Sequence, residues 1–239
     1  MKSVLVVIPT IGSPELKECV ESVLEQDYEN VEYLIVVDGS QYEDAVRKLV
    51  STEKIVVLPH NVGAGGWYSH RIIAGFSHLI NHDYTIFLDE DNMLEPNHIS
   101  SLIKTIESGE YDWVYSLRKI YSKEGEYICE DDCEALGRWP IGANEANGNL
   151  VDTSCYLYKT DFIRATGHLW DHGWGADRRY YKIIKEALKH ENFRCSGEST
   201  LKYRLGGNEG SVKKEFFTTL NEQVKKAYGD KPFPWRDRP

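Results

Sequence analysis

Four short apolar runs punctuate the first part of the chain: Val4–Ile8 (VLVVI), Tyr33–Val37 (YLIVV), Lys54–Leu58 (KIVVL) and Tyr84–Leu88 (YTIFL). Each is too short for a helix and continuous rather than alternating, the pattern of a strand covered on both faces. Helix-like segments separate them. Ser13 and Pro14 provide an N-cap and a first-turn proline, and from Pro14 to about Gln26 the residues Leu16, Val20, Val23 and Leu24 form one apolar stripe. Residues 42–50 and 67–80 read as further helices, Pro96 opens another that runs to about Ser108, and Trp113–Leu117 reads as a strand. This β-α-β-α order predicts an α/β fold, Rossmann-like, with a mostly parallel, doubly wound sheet and right-handed crossovers.

The second half carries weaker signals. Residues 118–150 are rich in Gly, Glu, Asp and Asn and read as loops with a short hairpin. Val151–Tyr158 reads as a strand. A helix is expected from Asp177 to His190, with Tyr180, Ile183, Ile184, Ala187 and Leu188 on its apolar face, and another over 211–228, ahead of a tail with prolines at 232, 234 and 239. With no internal repeat and no low-complexity linker, residues 1–239 are expected to form a single domain.

A hydrophobic fraction of 41% and a charged fraction of 28% belong to a soluble globular chain. There is no apolar run of about 18 residues and no signal-peptide pattern, so a cytoplasmic protein without a membrane span is expected, peripheral membrane contact aside. The net charge of −10 argues against nucleic acid as a partner, and a phosphate-rich ligand would need local cations or a metal. The five cysteines are scattered. Cys129 and Cys133 form the one close pair, but no further Cys or His stands near enough to complete a zinc site, so reduced thiols are expected.

The tetrad Leu88-Asp89-Glu90-Asp91 closes the fourth strand. Three carboxylates at the carboxyl end of a buried strand repel one another, and a cation offsets that repulsion. The carboxyl ends of parallel strands are also where ligands bind in such sheets. Asp89 and Asp91 flank one residue, so their side chains can point the same way, and hard oxygen donors at that spacing suit Mg²⁺ or Mn²⁺ holding a diphosphate. Thr10, Asp38 and His60 end the other three strands and converge on the same edge.

With these residues in place the chain resembles the GT-A glycosyltransferases of the family-2-like group over roughly residues 3–190. The likeness rests on V-V-I-P-T, V-V-D-G-S, H-N-V-G, L-D-E-D and the late G-A-D-R, in that order. It implies a metal-dependent, inverting transfer from a nucleotide-sugar donor, a UDP-sugar foremost, to a hydroxyl acceptor such as a glycan. It also implies a nucleotide-sugar-binding half over about 1–117, an acceptor and catalytic half over about 118–205, and a C-terminal helix and tail over about 206–239. By the same resemblance Thr10 and Asp38 line the nucleotide pocket, Asp89 approaches the ribose or metal, and Asp91 ligates the metal, with Glu90 behind them or a bystander. Arg71 is the candidate for a base or phosphate contact, although the A-R-N-x-G pattern of the family is altered around it. Asp177 is the candidate general base, with Ala176 where the family places a first acid. A carboxylate at a helix start is expected to be held ionised, with a lowered pKa. Trp170 and Trp174 offer indole faces to an acceptor sugar, Trp139 is a further candidate, and Asp152 reaches toward the donor sugar.

Three other functions compete. A catalytically degenerate carbohydrate- or nucleotide-binding protein is kept open by Ala176. A nucleotidyltransferase is disfavoured because Pro9–Pro14 has one glycine and no Lys or Arg, and a dinucleotide-binding dehydrogenase because G-x-G-x-x-G is absent.

Overall fold

The structure is a computed structural model that describes residues 1–139, 148–206 and 212–238. The first strands lie where the apolar runs predict. β1 (Val4–Thr10), β2 (Val31–Val37), β3 (Ile55–Val57) and β4 (Tyr84–Phe87) pair in parallel in the order β3-β2-β1-β4. Val4–Ile8 are shut off from solvent on both faces, which is why the run shows no alternation. The intervening helices are α1 (Leu16–Leu24), α2 (Glu43–Leu49) and α3 (His70–Phe76). The last is half the expected length, because residues 61–69 form turns instead.

Beyond β4 the chain changes character. A two-residue strand β5 (Met93–Leu94) and α4 (His98–Glu107) lead into the long β6 (Trp113–Tyr121), which turns back through β7 (Tyr127–Glu130) as the expected hairpin. The segment read as a strand from Val151 makes a 3₁₀ turn at Thr153–Cys155 before β8 (Tyr156–Lys159). Asp152 causes the delay: its carboxylate accepts from the Ser154 amide at 2.9 Å, which offers the backbone an alternative to the ladder. α5 (Thr160–Thr166) follows, then α6 (Ala176–Lys182), whose last turn widens into a π turn at Ile183–Ala187. The strand β9 (Phe193–Arg204) and α7 (Lys214–Tyr228) complete the elements.

One nine-stranded sheet runs through both halves in the order β3-β2-β1-β4-β8-β6-β9-β5, with β7 on β6. β8 enters antiparallel between β4 and β6, and β9 lies parallel to β6, so the sheet is mixed and its longest ladders are parallel. Among the described residues no helix is long and apolar enough to cross a membrane. All five cysteines are free thiols, four of them buried.

Candidate active site

The register of the parallel strands sets the site. Thr10 pairs with Val37, and the Leu88 amide donates to the Val7 carbonyl at 3.0 Å, so the turns after β1, β2 and β4 begin along one edge. They open into a cavity of about 500 Å³. Its walls include Thr10, Asp38, Asp89 and Asp91 from that edge, and Asp152, Trp174 and Asp177 from the second half. His60, the other strand-end residue, is exposed outside the cavity, and Asn61 takes its place.

Each strand-end residue is fixed by its neighbours. The buried Asp38 carboxylate accepts from the Val62 amide at 2.7 Å and the Gly63 amide at 2.9 Å, holding the 61–63 turn across the end of β2. Gly63 is required there: a Cβ would lie 2.2 Å from the Tyr68 carbonyl oxygen and 2.7 Å from Asp38. Glu90 is no bystander. Its carboxylate accepts from the Thr10 hydroxyl, from the Ile11 amide at 3.0 Å and from the Ser13 amide at 2.8 Å, so it ties the loop after β1 to the end of β4.

Asp89 accepts from the Ser69 hydroxyl at 3.0 Å, and its own amide donates to Ser154 Oγ at 3.1 Å. Burial first, then the neighbouring Asp91 and Asp152, pushes its pKa up to about 7. Burial and then Glu90 push Asp91 up to about 6. Such crowding of carboxylates disfavours their charged forms, and a divalent cation reverses that preference. The donor set is all hard oxygen. No group of three or more His, Cys, Asp or Glu among the described residues is arranged to hold a metal, so two carboxylates would leave positions for diphosphate oxygens and water, the usual habit of Mg²⁺ and a habit open to Mn²⁺.

The second half supplies an ionic cluster that motif reasoning missed. Arg118, 3% exposed, points each guanidinium nitrogen at a different carboxylate: Nε to Asp131 at 2.8 Å, one terminal nitrogen to Asp152 at 2.5 Å and the other to Glu134 at 2.6 Å. Glu134 is bridged in turn to Arg178 at 2.8 Å. Asp177 stands beside Arg178 in the first turn of α6, half-buried on the cavity wall, with its carboxylate accepting from the Arg178 amide at 2.7 Å. Its pKa is raised, not lowered as the helix start predicts. Burial is the largest cause and outweighs the hydrogen bond to the amide, and Asp152 adds repulsion.

Two expected contacts are corrected. Arg71 does not line the cavity: its guanidinium lies over the Trp67 ring at 3.5 Å and pairs with Asp171 at 3.3 Å. Trp170 is fully buried and stacked on Tyr180 at 4.5 Å, so it is core and offers no face to a sugar. Trp139 packs edge-on against Trp235. Trp174, in contrast, is 78% exposed on the cavity rim. Arg204 and Tyr203 reach the cavity from the end of β9, a strand that went unrecognised in the sequence, and His70 reaches it from α3. Burial lowers the His70 pKa, and its Nδ1 lies 2.9 Å from the His172 carbonyl, tying α3 to the loop that carries Trp174.

The family model described as glycosyl transferase family 2 matches residues 5–162, the span that carries Thr10, Asp38, Asp89 and Asp91 of the cavity. The chain belongs to glycosyl transferase family 2. The transferase is also similar in fold to two solved structures of low identity. One is S. aureus TarS 1-349 in complex with UDP-GlcNAc, at 14% identity and a TM-score of 0.57, covering 98% of this chain and 68% of that one. The other is the mannosyltransferase PcManGT from Pyrobaculum calidifontis in complex with GDP-Man and Mn²⁺, at 12% identity and a TM-score of 0.59, covering 98% and 67%. No curated protein matches the sequence significantly. The transferase therefore has the GT-A architecture its sequence resembles, with the cavity at the carboxyl edge of the sheet.

Proposed function

We propose that this transferase moves a glycosyl unit from a nucleoside-diphosphate sugar, a UDP-sugar foremost, to a hydroxyl acceptor with inversion, using a divalent cation. The observation that carries this is the convergence of Asp38, Asp89 and Asp91 with Asp177 on the walls of one cavity. The two similar folds above hold UDP-GlcNAc and GDP-Man with Mn²⁺, which supports a donor of this class.

Asp38 and the 61–63 turn it holds would receive the nucleoside, and Asp89 and Asp91 would hold Mg²⁺ or Mn²⁺ against the diphosphate. When bound, the cation would supply charge neutralisation to the leaving nucleoside diphosphate. Asp177 would take the proton from the acceptor hydroxyl. Its raised pKa makes it a better base than an ordinary surface carboxylate, and it shares the cavity with the β4 carboxylates, where an acceptor hydroxyl would meet the donor.

Two competitors lose ground. In a nucleotidyltransferase the loop after the first strand would cradle phosphate through its amides, but here the Ile11 and Ser13 amides are taken by Glu90. The binding-only alternative drew on Ala176, which is fully buried outside the cavity lining, so its small side chain takes no carboxylate away from the wall.

The test is a thermal-shift panel of UDP-, GDP- and dTDP-sugars with Mn²⁺, Mg²⁺ or EDTA, on wild type and Asp91→Ala. A ligand that binds the folded state alone raises its melting temperature. A shift for one nucleotide class that needs metal and vanishes in the variant is expected. A folded protein that responds to no donor would overturn the proposal.

A further inference from the structure

We infer that the acceptor is an uncharged carbohydrate and that the site turns away acceptors bearing phosphate or carboxylate, lipid phosphates included. This rests on the transfer reaction proposed above and names the chemistry of its second substrate.

Among the described residues, the second half puts four carboxylates in or just behind the cavity wall, Asp131, Glu134, Asp152 and Asp177, and three guanidiniums, Arg118, Arg178 and Arg204. Each guanidinium is already paired, Arg204 with Glu18. All three nitrogens of Arg118 are committed to Asp131, Asp152 and Glu134, and Arg178 donates to Glu134 at 2.8 Å and to the Gly148 carbonyl at 2.6 Å. A phosphate brought within reach of Asp177 would meet like charge, and the cations among the described wall residues are already paired with carboxylates; like-charge juxtaposition is how interfaces exclude wrong partners.

A second observation says what is admitted. Trp174 is 78% exposed on the rim, held between Gly173 and Gly175, and Gly175 turns the chain through φ 78° into α6. A large indole left open to water beside a carboxylate wall suits the apolar C–H face of a pyranose, whose hydroxyls can donate to those carboxylates. Neutral sugars therefore gain both contacts, whereas anionic ones lose the second.

The experiment ranks matched ligands on the full chain. Methyl glycosides of glucose, galactose, mannose and N-acetylglucosamine are each titrated beside the corresponding 6-phosphate, with dodecyl phosphate as the lipid-phosphate probe. Dissociation constants are read by saturation-transfer NMR with and without UDP and Mn²⁺, at low and high salt. At low salt each neutral sugar should bind at least about tenfold more tightly than its phosphate, with the gap narrowing as salt rises. A 6-phosphate that binds as well as or better than its neutral counterpart, or glycosylation of dodecyl phosphate, would overturn the inference. Trp174→Ala should weaken the neutral sugars several-fold and leave the UDP-induced melting shift intact, whereas loss of both would mean that Trp174 merely supports the fold. A missing UDP shift in wild type would remove the donor assignment, while the charge ranking measured without UDP still decides the acceptor chemistry.

Discussion

At Asp177 two effects act on one carboxyl, and their balance decides what the residue can do. The α6 terminus and the Arg178 amide favour the anion, while burial in the cavity wall and the nearby Asp152 disfavour it, and burial wins. Asp177→Asn removes the proposed base without changing the shape, so kcat should fall by about 10²–10⁴-fold with donor binding intact. Steady-state kinetics with a thermal-shift control checks this. The crowding at Asp89 and Asp91 carries a different consequence. Their folded pKa values, about 7 and about 6, lie above the unfolded value of 3.8. Between those limits the folded state binds more protons than the unfolded one, so stability without metal falls as pH rises through the window. Asp91→Asn should therefore raise the melting temperature in EDTA at pH 8, by about 1–3 kcal/mol of stability, while ending the proposed metal-dependent transfer. An unchanged or lower melting temperature would contradict it. The same residues show how much of the site was legible beforehand. Thr10, Asp38, Asp89 and Asp91 follow continuous apolar runs, so their place at a sheet edge follows from pattern alone. Arg118 and Glu134 do not. They reach the cavity through a hairpin and the turn after it, and local spacing does not encode that closure.

Among the elements, β9 is the clearest case of a strand hidden from pattern reasoning. Gly197 sits at φ 73° within it, and its register with β6 shifts around Leu117, so no single alternation runs the length of Phe193–Arg204. Bulges of this kind break the two-residue period that would have revealed it. The contact of β9 with α4 is testable. His98, the first residue of α4, is fully buried, with Nδ1 2.8 Å from Thr200 Oγ1 and Nε2 without a partner. Burial lowers its pKa to about 4, so it folds neutral, whereas the unfolded residue takes a proton near 6.5. The stability from this contact is complete above the unfolded pKa and is lost as pH falls from about 6.5 toward 4, to a limit of about 3 kcal/mol. Urea midpoints at pH 7.5 and 5 should show the loss, and His98→Gln should flatten it. On the nucleotide side, Gly63→Ala should cost donor affinity before it costs global stability, because the clash falls on the Asp38 turn and not on the sheet.

Across the whole molecule, the C-terminal tail and the proposed acceptor half of the cavity share one segment, residues 130–134. Trp235 is fully buried, stacked on Phe233 at 4.7 Å, and its indole donates to Asp132 at 2.7 Å, while Arg236 adds a contact to the same carboxylate at 2.6 Å. Asn221 of α7 clasps the same stretch, donating to the Glu130 carbonyl at 2.6 Å and accepting from the Asp132 amide at 3.0 Å. The residue before Asp132, Asp131, receives Arg118, and two residues after it Glu134 receives both Arg118 and Arg178. The buried ion cluster therefore depends on packing more than a hundred residues away in sequence, and a buried pair loses most when one partner is displaced. Trp235→Ala should cost about 3–5 kcal/mol through the cavity it leaves. It should also lower transfer more than donor binding, because the loosened segment carries Glu134, a wall of the acceptor half, whereas Asp38 and the β4 carboxylates stand on the parallel strands. Conservative replacement by Phe keeps the stacking and loses the hydrogen bond to Asp132, so it should recover most of the stability and less of the turnover. Denaturant midpoints set beside kcat and the UDP-induced melting shift for the three proteins measure this. If turnover and donor binding fell in step with stability in both variants, the tail would be acting on the fold as a whole and not on the acceptor wall.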